Sequence, residues 1–376
     1  MKALVTNCTR NSGVAVMQAL HQRAWQVHGA DDRVPPWGLH ARCAAGPYAL
    51  LPAEDNPRFG AALLKLLDEL RPDVLIPTRG VGAACSLAAQ QRIASATLLP
   101  DVEAYELCND KSRLLALCKQ LHVPVPQRHS LEEGLRLLRS GARQVLVVRP
   151  CKDVGGGEGV NFVETAEQLA TCTASVIAAY GDALITDLIE GPTTSLRALH
   201  LLFDADTRLI GSFVMRKTRI WPPRRGISVA AESTDENELV ELVLPIFKAL
   251  RWRGAADVEL KLDERDGTPR LLEINPRFSG AIAFSIACGI DMPGRYCEAA
   301  LGKRLPEITG CESIAGRRYV DPARWVAAAW HERHTRGNFG RALREWRDRV
   351  PHTGSSDPAA RFAKLALSLR RFVSHA

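Results

Sequence analysis

The chain has 376 residues, of which 46% are hydrophobic, 24% charged and 6% aromatic, and its formal net charge is +7. This composition excludes a disordered, collagen-like or low-complexity chain, and the length predicts two or three packed units. Residues 317–376 contain 13 basic and 5 acidic residues, a surplus of +8, so residues 1–316 sum to −1. The body therefore lacks the uniform positive charge that is typical of proteins that bind nucleic acid or membrane surfaces.

The sequence also excludes several kinds of membrane and metal protein. No segment reaches the roughly 18 uncharged apolar residues of a membrane helix, and the N-terminus lacks the apolar run of a signal peptide. We therefore expect a cytoplasmic protein with no membrane partner. The ten cysteines are scattered without a C-x-x-C pair, which predicts reduced and mostly buried thiols instead of a zinc site or a disulfide framework.

Residues 1–100 alternate short apolar strands with segments of helical periodicity. This alternation is typical of a parallel sheet in a Rossmann-like domain. The strands are expected at 3–5, 25–29 and 74–77, and the helices at 14–23 and 59–70. The turn after the first strand contains only Gly13, so the three-glycine dinucleotide fingerprint is absent. We expect the strand ends near Thr6 and Thr78 to face a substrate cleft instead.

A candidate binding loop follows in the next part of the chain. Lys111 opens a predicted helix, 111–121, with Asn109 or Asp110 as its N-terminal cap. A strand at 145–148 then leads into a turn with four closely spaced glycines, Gly155, Gly156, Gly157 and Gly159. A backbone without side chains can approach a bound phosphate closely, so the turn is a candidate phosphate-binding loop.

Two predicted strands near the end of the body, 256–262 and 270–275, are joined by a turn-rich segment and so form a hairpin. Because side chains alternate along a strand, Asp257, Glu259 and Lys261 share one face of the first strand. The hairpin therefore presents a charged face and an apolar face.

The second strand of the hairpin carries the most informative residues of the sequence. Alternation places Leu271, Glu273 and Asn275 on one face. Carboxylate and amide oxygens at this spacing suit magnesium that is bound together with nucleotide phosphates. The segment 272–278 embeds these groups and Arg277 in apolar residues, and buried charges need partners that a metal–phosphate site supplies.

The last residues, 317–376, are rich in Arg and Trp and predict helices on both sides of a Pro/Gly/Ser break at 351–358. Trp325 and Ala329 lie four residues apart, on one face of such a helix. This spacing favours a helix that packs on the body over a nucleic-acid surface with stacking tryptophans.

Lys111, the glycine turn, the acid-bearing segment 186–191 and the hairpin occur in an order that resembles the ATP-grasp superfamily. The similarity is greatest to its carbamoyl-phosphate synthetase-like carboxylate–amine ligases, and it covers residues 1 to about 305. It implies ATP and Mg²⁺ as cofactors, with Mn²⁺ possible as the metal. The implied α/β fold has a Rossmann-like N-terminal domain (1–100), a small lobe with a glycine-rich lid (101–190), a mixed-sheet large lobe with the metal site (191–316) and a helical basic extension (317–376).

The resemblance also implies roles for single residues on the nucleotide side. Lys111 and Arg149 would bind phosphates, Arg149 at a position where most relatives carry lysine and carbamoyl-phosphate synthetases carry arginine. Lys217 would bring a further positive charge toward the phosphates, and the four glycines would close over them. A hinge would bind the adenine and the ribose through Asp187, Leu188, Ile189 and Glu190. The ribose acid would be Asp187 or Glu190, because Thr186 and Thr193 replace acids that relatives carry.

On the metal side, the resemblance implies that Glu259, Glu273 and Asn275 bind magnesium. Asp257 is the alternative to Glu259, which we prefer because it lies nearer the turn and so better opposite Glu273. Arg277 would steady the acyl phosphate or the developing oxyanion.

The implied reaction transfers the γ-phosphate of ATP to a carboxylate, and an amine then attacks the acyl phosphate to form an amide or peptide bond. The expected partners are a small-molecule carboxylate and an amine, without nucleic acid, and a homodimer is one possible assembly. Substrate choice is left to loops such as 219–227, where Arg224 and Arg225 are candidates to clamp a substrate carboxylate.

Two other functions compete with this interpretation. A biotin carboxylase is disfavoured because residues 278–282 read Phe-Ser-Gly-Ala-Ile and lack the Val-Glu-His element of that family. A catalytically silent nucleotide-binding protein that binds an acidic partner through its basic tail is the alternative from a different class.

Overall fold

The structure, a computed structural model, describes residues 1–33, 41–152 and 157–321 together with Arg324, Trp325 and Ala328. The helices in this part of the chain are α1 (Asn11–Gln22), α2 (Phe59–Leu70), α3 (Val81–Ala89), α4 (Val102–Asn109), α5 (Lys111–Gln120), α6 (Leu131–Arg139), α7 (Ala166–Tyr180), α8 (Asn237–Ala249), α9 (Ile282–Ala287) and α10 (Met292–Ala300). The strands are β1 (Lys2–Thr6), β2 (Gln26–Asp31), β3 (Ala49–Leu50), β4 (Val74–Ile76), β5 (Arg128–His129), β6 (Leu146–Arg149), β7 (Asn161–Val163), β8 (Leu184–Asp187), β9 (Leu196–Phe203), β10 (Leu209–Trp221), β11 (Ile227–Thr234), β12 (Gly254–Leu262), β13 (Pro269–Asn275) and β14 (Arg318–Val320).

The first sheet has four parallel strands in the order β3-β2-β1-β4. Successive residues of β1 face opposite sides of the sheet, so each side has its own core. Val5 lies in a core with Val16 of α1, whereas Leu4 lies in another core with Leu63 of α2. A parallel sheet with both faces covered confirms the predicted Rossmann-like unit.

The second sheet has four antiparallel strands in the order β5-β8-β6-β7. Leu146 of β6 and Ile185 of β8 share its core with Leu169 of α7. Just before this sheet, α5 begins at Lys111 as predicted, and the Asp110 side chain caps it by accepting the backbone N–H of Arg113 at 3.1 Å. The glycine-rich turn connects β6 to β7.

The third sheet has six strands in the order β13-β12-β9-β10-β11-β14, and every neighbouring pair is antiparallel. The prediction of a mixed sheet is therefore wrong for this lobe. Short turns join β9 to β10, β10 to β11 and β12 to β13, and a strand that returns through a short turn runs antiparallel to the one before it. Helix α8 covers one face, where Val243 and Phe247 share a core with Val258 of β12.

A β-bulge interrupts the β12–β13 hairpin. Glu259 lies opposite Glu273 and Leu260 lies opposite Leu271, so Leu272 has no partner in the ladder. The extra residue reverses the alternation, and Leu271 lies in the core with Leu260. The prediction that Leu271 shares a face with Glu273 is wrong, because strict alternation cannot show an inserted residue.

The predicted boundary at residue 317 falls just before β14, which pairs with β11 at the edge of the third sheet. Trp325 and Ala328 pack beside this edge in a small cluster with Val229 and Val320. The rest of the predicted extension lies outside the described residues, and so do Gly155 and Gly156.

All ten cysteines are free and seven of them are buried, which confirms the prediction of reduced, mostly buried thiols. No helix in the described ranges has both the length and the apolar composition that a membrane crossing requires.

Candidate active site

Two rows of side chains cross the third sheet on the face opposite α8. Glu259 of β12 lies between Ala198 of β9 and Glu273 of β13, and we call this set the acidic row. One step along the strands, Asp257 lies between His200 and Asn275. We call that set the histidine row. Leu272, the bulged residue, comes directly before Glu273 in β13. Because of the bulge, Glu273 faces this side of the sheet while Leu271 faces the core on the other side.

Cations from both lobes meet the acidic row. Lys217 Nζ lies 2.6 Å from Glu259 Oε1, and Lys111 Nζ lies 3.4 Å from Glu273 Oε2. Arg149 donates from Nη2 to the carbonyl of Leu272 at 3.4 Å, so it reaches the same strand from the second sheet. The structure therefore brings together the predicted phosphate-binding cations and the predicted metal ligands, which are up to 164 residues apart in the sequence, from Lys111 to Asn275.

The amide and the guanidinium at the end of β13 complete this cluster. Asn275 Nδ2 donates to Glu273 Oε1 at 3.2 Å, and Arg277 Nη2 donates to Asn275 Oδ1 at 3.1 Å. Arg277 therefore stands beside the histidine row, at the other end of the cluster from Lys111. The structure places Arg277 next to the predicted metal ligands, as expected from the sequence.

The acids of the acidic row and the cations that meet it alter each other's pKa. Burial raises the pKa of Glu273, but the Lys111 and Arg149 cations outweigh it and lower the pKa to about 2. Burial lowers the pKa of Lys217, but Glu259 outweighs it and raises the pKa above its ordinary value. Burial also lowers the pKa of the Arg149 guanidinium, which Glu273 opposes. The Glu273 carboxylate is thus ionised and can bind a cation.

The residues present fit a magnesium ion that arrives with phosphates. The described residues contain no group of three or more His, Cys, Asp or Glu side chains arranged to hold a metal. Two facing carboxylates and an amide are fewer ligands than a closed protein cage, but magnesium keeps waters and takes only one or two carboxylates when phosphates supply the rest. Lys217 and Lys111, which pair with Glu259 and Glu273, are the cations that would lie beside those phosphates.

The histidine row has different electrostatics. Burial and the neighbouring Glu259 raise the pKa of Asp257 to about 7. Burial and the Lys217 cation lower the pKa of His200 to about 3, so its imidazole is neutral. His200 was not among the predicted site residues, because a single histidine in an apolar strand gives no signal by itself.

The predicted hinge follows β8, and its first acid is already engaged. Arg143 donates from Nε and Nη2 to the two carboxylate oxygens of Asp187, each at 3.0 Å, and His129 Nε2 lies 2.7 Å from Oδ1. Burial raises the pKa of Asp187, but Arg143 and His129 outweigh it and lower the pKa below its ordinary value. This arrangement favours Glu190, which is exposed, as the ribose acid. Arg143 and His129 were not among the predicted site residues, because no local motif marks them.

The other hinge residues lie next to the hairpin. Lys261 Nζ donates to the carbonyl of Ile189 at 2.8 Å, which ties the hinge to β12. The sequence placed Lys261 on the same face as Glu259 but assigned it no role. A cavity of about 400 Å³ borders this hinge, lined by Val125, Gln127, Arg143, Asp187, Ile189, Arg265, Asp266 and Arg270. None of its lining residues belongs to the acidic row.

The described end of the glycine turn contacts the β10–β11 hairpin. Gly157 has a φ of +74°, and a Cβ there would lie 1.6 Å from the carbonyl oxygen of Arg225. Arg225 donates to the carbonyl of Val160 at 3.1 Å, and the Arg224 guanidinium lies 4.5 Å from the ring centroid of Phe162. The predicted clamp residues Arg224 and Arg225 therefore contact the glycine turn and β7 instead of standing free for a substrate carboxylate.

Comparisons with known proteins agree with this architecture. Residues 205–320 match a family described as ATP-grasp in the biosynthetic pathway with Ter operon. The chain is 25% identical over 261 residues to the carbamoyl phosphate synthase large chain of Archaeoglobus fulgidus, a match that covers 65% of this chain and 23% of that protein. The chain thus spans about a quarter of the length of this curated relative.

Two solved structures show the likeness in three dimensions. The biotin carboxylase of Campylobacter jejuni, solved as a β,γ-ATP complex, superposes with a TM-score of 0.66 at 19% identity, over 84% of this chain and 74% of that one. The L-amino acid ligase of Bacillus licheniformis superposes with a TM-score of 0.59 at 16% identity, over 80% of this chain and 74% of that one. At these identities the likeness shows a shared fold.

Proposed function

We propose, from the premise that this chain has the ATP-grasp fold, that it is an ATP-dependent ligase that joins a carboxylate to an amine through an acyl phosphate. The substrates we expect are amino acids or small peptides, and the product an amide or peptide bond. One observation carries the proposal. Two carboxylates, Glu259 and Glu273, face each other across β12 and β13, and cations from both lobes converge on them.

The charges of the cluster suit a magnesium–nucleotide complex. Glu259, Glu273 and Asn275 would hold magnesium, which when bound supplies charge neutralisation for the β- and γ-phosphates. Lys111 and Arg149 would bind and orient the phosphates from the small lobe, while Lys217 would do so from the large lobe. Most of the catalysis would therefore come from positioning and electrostatic stabilisation.

The proposed chemistry has two steps. A carboxylate oxygen attacks the γ-phosphorus, the bond to the β-phosphate oxygen breaks, and ADP leaves with the electron pair. The amine nitrogen then attacks the acyl carbon, the carbon–oxygen bond to phosphate breaks, and the departing phosphate takes the proton that the nitrogen loses. Arg277, beside Asn275, would stabilise the oxyanion that develops at that carbon.

The thiols near the site support a mechanism without a side-chain nucleophile. Cys151 accepts the backbone N–H of Lys111 through its carbonyl at 2.8 Å, so it lies close to the cluster. Burial and the neighbouring Asp182 raise the pKa of its thiol to about 11. A protonated thiol is a poor nucleophile, and Cys151 therefore offers no covalent route.

The proposal is tested by trapping the acyl phosphate. The protein is incubated with Mg²⁺–ATP, hydroxylamine and a panel of amino acids and small carboxylates, and both ADP and hydroxamate are measured. We expect one acid to yield the two products in equal amounts, and Glu273→Gln to reduce the rate by about 1,000-fold because a ligand and a charge are lost. Glu232→Gln is the matched control, because Glu232 of β11 pairs with Arg216 of β10 and does not belong to the acidic row.

Other outcomes would contradict the proposal. AMP in place of ADP would exclude an acyl phosphate. Hydroxamate that is formed equally by wild type and Glu273→Gln would exclude the acidic row as its source. A wild-type protein that binds Mg²⁺–ATP but turns over no acid in the panel would remove the support for a small carboxylate substrate.

A further inference from the structure

The histidine row contains a pair of buried polar groups that the proposed chemistry leaves unused. His200 is 1% exposed and Asp257 is 5% exposed, and they lie opposite each other on β9 and β12. His200 Nε2 and Asp257 Oδ1 are 4.0 Å apart, too far for a hydrogen bond. Within the described part of the chain, Oδ1 and both ring nitrogens of His200 have no hydrogen-bond partner.

Such groups need an explanation, because native proteins pair nearly all of their buried polar atoms. In the neighbouring acidic row the acids are paired, because Glu259 and Glu273 both contact lysines. The unpaired atoms of the histidine row therefore indicate a partner that the chain itself does not supply.

The position of the pair relates it to the reaction. Asp257 and Glu259 are alternate residues on one face of β12, so they are about 7 Å apart along the strand. A group held by Asp257 would lie next to an acyl phosphate held at the acidic row. Arg277, the residue proposed to stabilise the oxyanion, donates to Asn275, which lies opposite Asp257.

The chemistry of the pair favours a nitrogen that carries more than one hydrogen. A carboxylate oxygen accepts hydrogen bonds, and the neutral imidazole of His200 also offers an accepting nitrogen. A nitrogen that donates to both atoms would lie about 2.9 Å from each. Magnesium, by contrast, prefers oxygen ligands and would gain little from the imidazole.

We propose that Asp257 and His200 bind the amino group of the amine substrate and so select amines as the nucleophile. This assignment rests on the proposed ligase function and gives that function its second substrate site. Phe213 packs against His200 with ring centroids 5.5 Å apart and closes the apolar side of the site.

The test compares two nucleophiles on the same enzyme. With the carboxylate found by hydroxamate trapping, the twenty amino acids are assayed as amines, and hydroxylamine serves as a small nucleophile that is uncharged at neutral pH. In Asp257→Asn we expect the KM for the best amine to rise about 20-fold, because a charge-assisted hydrogen bond is lost. The KM for Mg²⁺–ATP and the rate with saturating hydroxylamine should remain within about 3-fold of wild type.

A second variant guards against misfolding. His200→Phe keeps an aromatic ring against Phe213, and we expect the KM for the amine to rise about 5-fold without a change for Mg²⁺–ATP. Asp204→Asn is the control, because Asp204 is an equally buried acid that lies in the β9–β10 turn, where it pairs with Arg208.

The outcomes separate the two proposals. An unchanged KM for the amine in Asp257→Asn, with normal hydroxamate formation, would overturn the amine site alone. A requirement for much more Mg²⁺ in this variant would also overturn it, and would make Asp257 a metal ligand. No hydroxamate from wild type would overturn the ligase function and the amine site with it.

Discussion

The acidic row and the histidine row lie side by side on one sheet, but they differ in how their polar groups are satisfied. In the acidic row, Glu259 and Glu273 each contact a lysine. In the histidine row, Asp257 Oδ1 and the His200 nitrogens lack hydrogen-bond partners among the described residues. The difference teaches that the acids of the acidic row already have cationic partners in the protein itself, whereas the described residues leave these atoms of the histidine row without hydrogen bonds.

The largest effect is expected from breaking a pair in the acidic row. Lys217→Met removes the lysine that pairs with the partly buried Glu259, and we expect the free energy of unfolding to fall by about 3 kcal/mol because a poorly solvated charge loses its partner. Urea denaturation measures the change. The double variant Lys217→Met/Glu259→Gln should recover most of the loss, and equal stability of the single and double variants would show that the pair is not desolvated.

Asp187 in the hinge is another acid that is paired with a cation, as Glu259 and Glu273 are. Arg143→Ala removes both hydrogen bonds from Arg143 to Asp187 and should weaken binding of Mg²⁺–AMP-PNP by about 10-fold, because the hinge is no longer fixed in position. Calorimetric titration measures the affinity. Arg143→Lys should restore part of it, and Arg139→Ala, an exposed arginine at the end of α6, should leave it unchanged.

The same hinge pair predicts a dependence of stability on pH. The folded-state pKa of Asp187 is lowered, so its contribution is complete above the ordinary aspartate pKa of about 3.9 and is lost as the pH falls through the lowered value. Wild type should therefore be more stable than Asp187→Asn at neutral pH, and the gap should close below about pH 4. Thermal unfolding of both proteins across this range tests it, and a gap that widens in acid would contradict the assigned shift.

The smallest effect on stability is expected from a change in the histidine row. His200→Phe removes buried nitrogens that lack partners, and we expect the ligand-free protein to gain about 1 kcal/mol of stability. Urea denaturation without ligand measures the gain. A loss of stability similar to that of Lys217→Met would mean that His200 has a structural partner and would remove the contrast between the rows.

Much of the fold could be predicted from local patterns. Periodicity predicted three of the four strands of the first sheet, β1, β2 and β4, and the helices α1 and α2, and Asp110 before Lys111 predicted the start of α5. The ATP-grasp resemblance, which rested on a few ordered segments, is confirmed by the matching family and by the solved structures of the same fold. These features depend on residues that are close in the sequence.

What could not be predicted depends on residues that are far apart. Arg143 and His129 reach Asp187 over 44 and 58 residues, and no local motif announces such a contact. Arg224 and Arg225 suggested a substrate clamp, but their neighbours are residues of the glycine turn and β7. The bulge at Leu272 was missed for a different reason, since an inserted residue leaves the composition of a strand unchanged.

That bulge also has a consequence for how this protein can be compared with its relatives. Leu272 contributes no side chain to the core of β12 and β13, but its carbonyl accepts from Arg149 of the other lobe. This hydrogen bond therefore depends on the presence of a residue between Leu271 and Glu273 and not on its identity. A substitution at this position keeps the carbonyl that accepts from Arg149, whereas a deletion removes it, so insertions and deletions in an alignment carry functional information that residue identity does not.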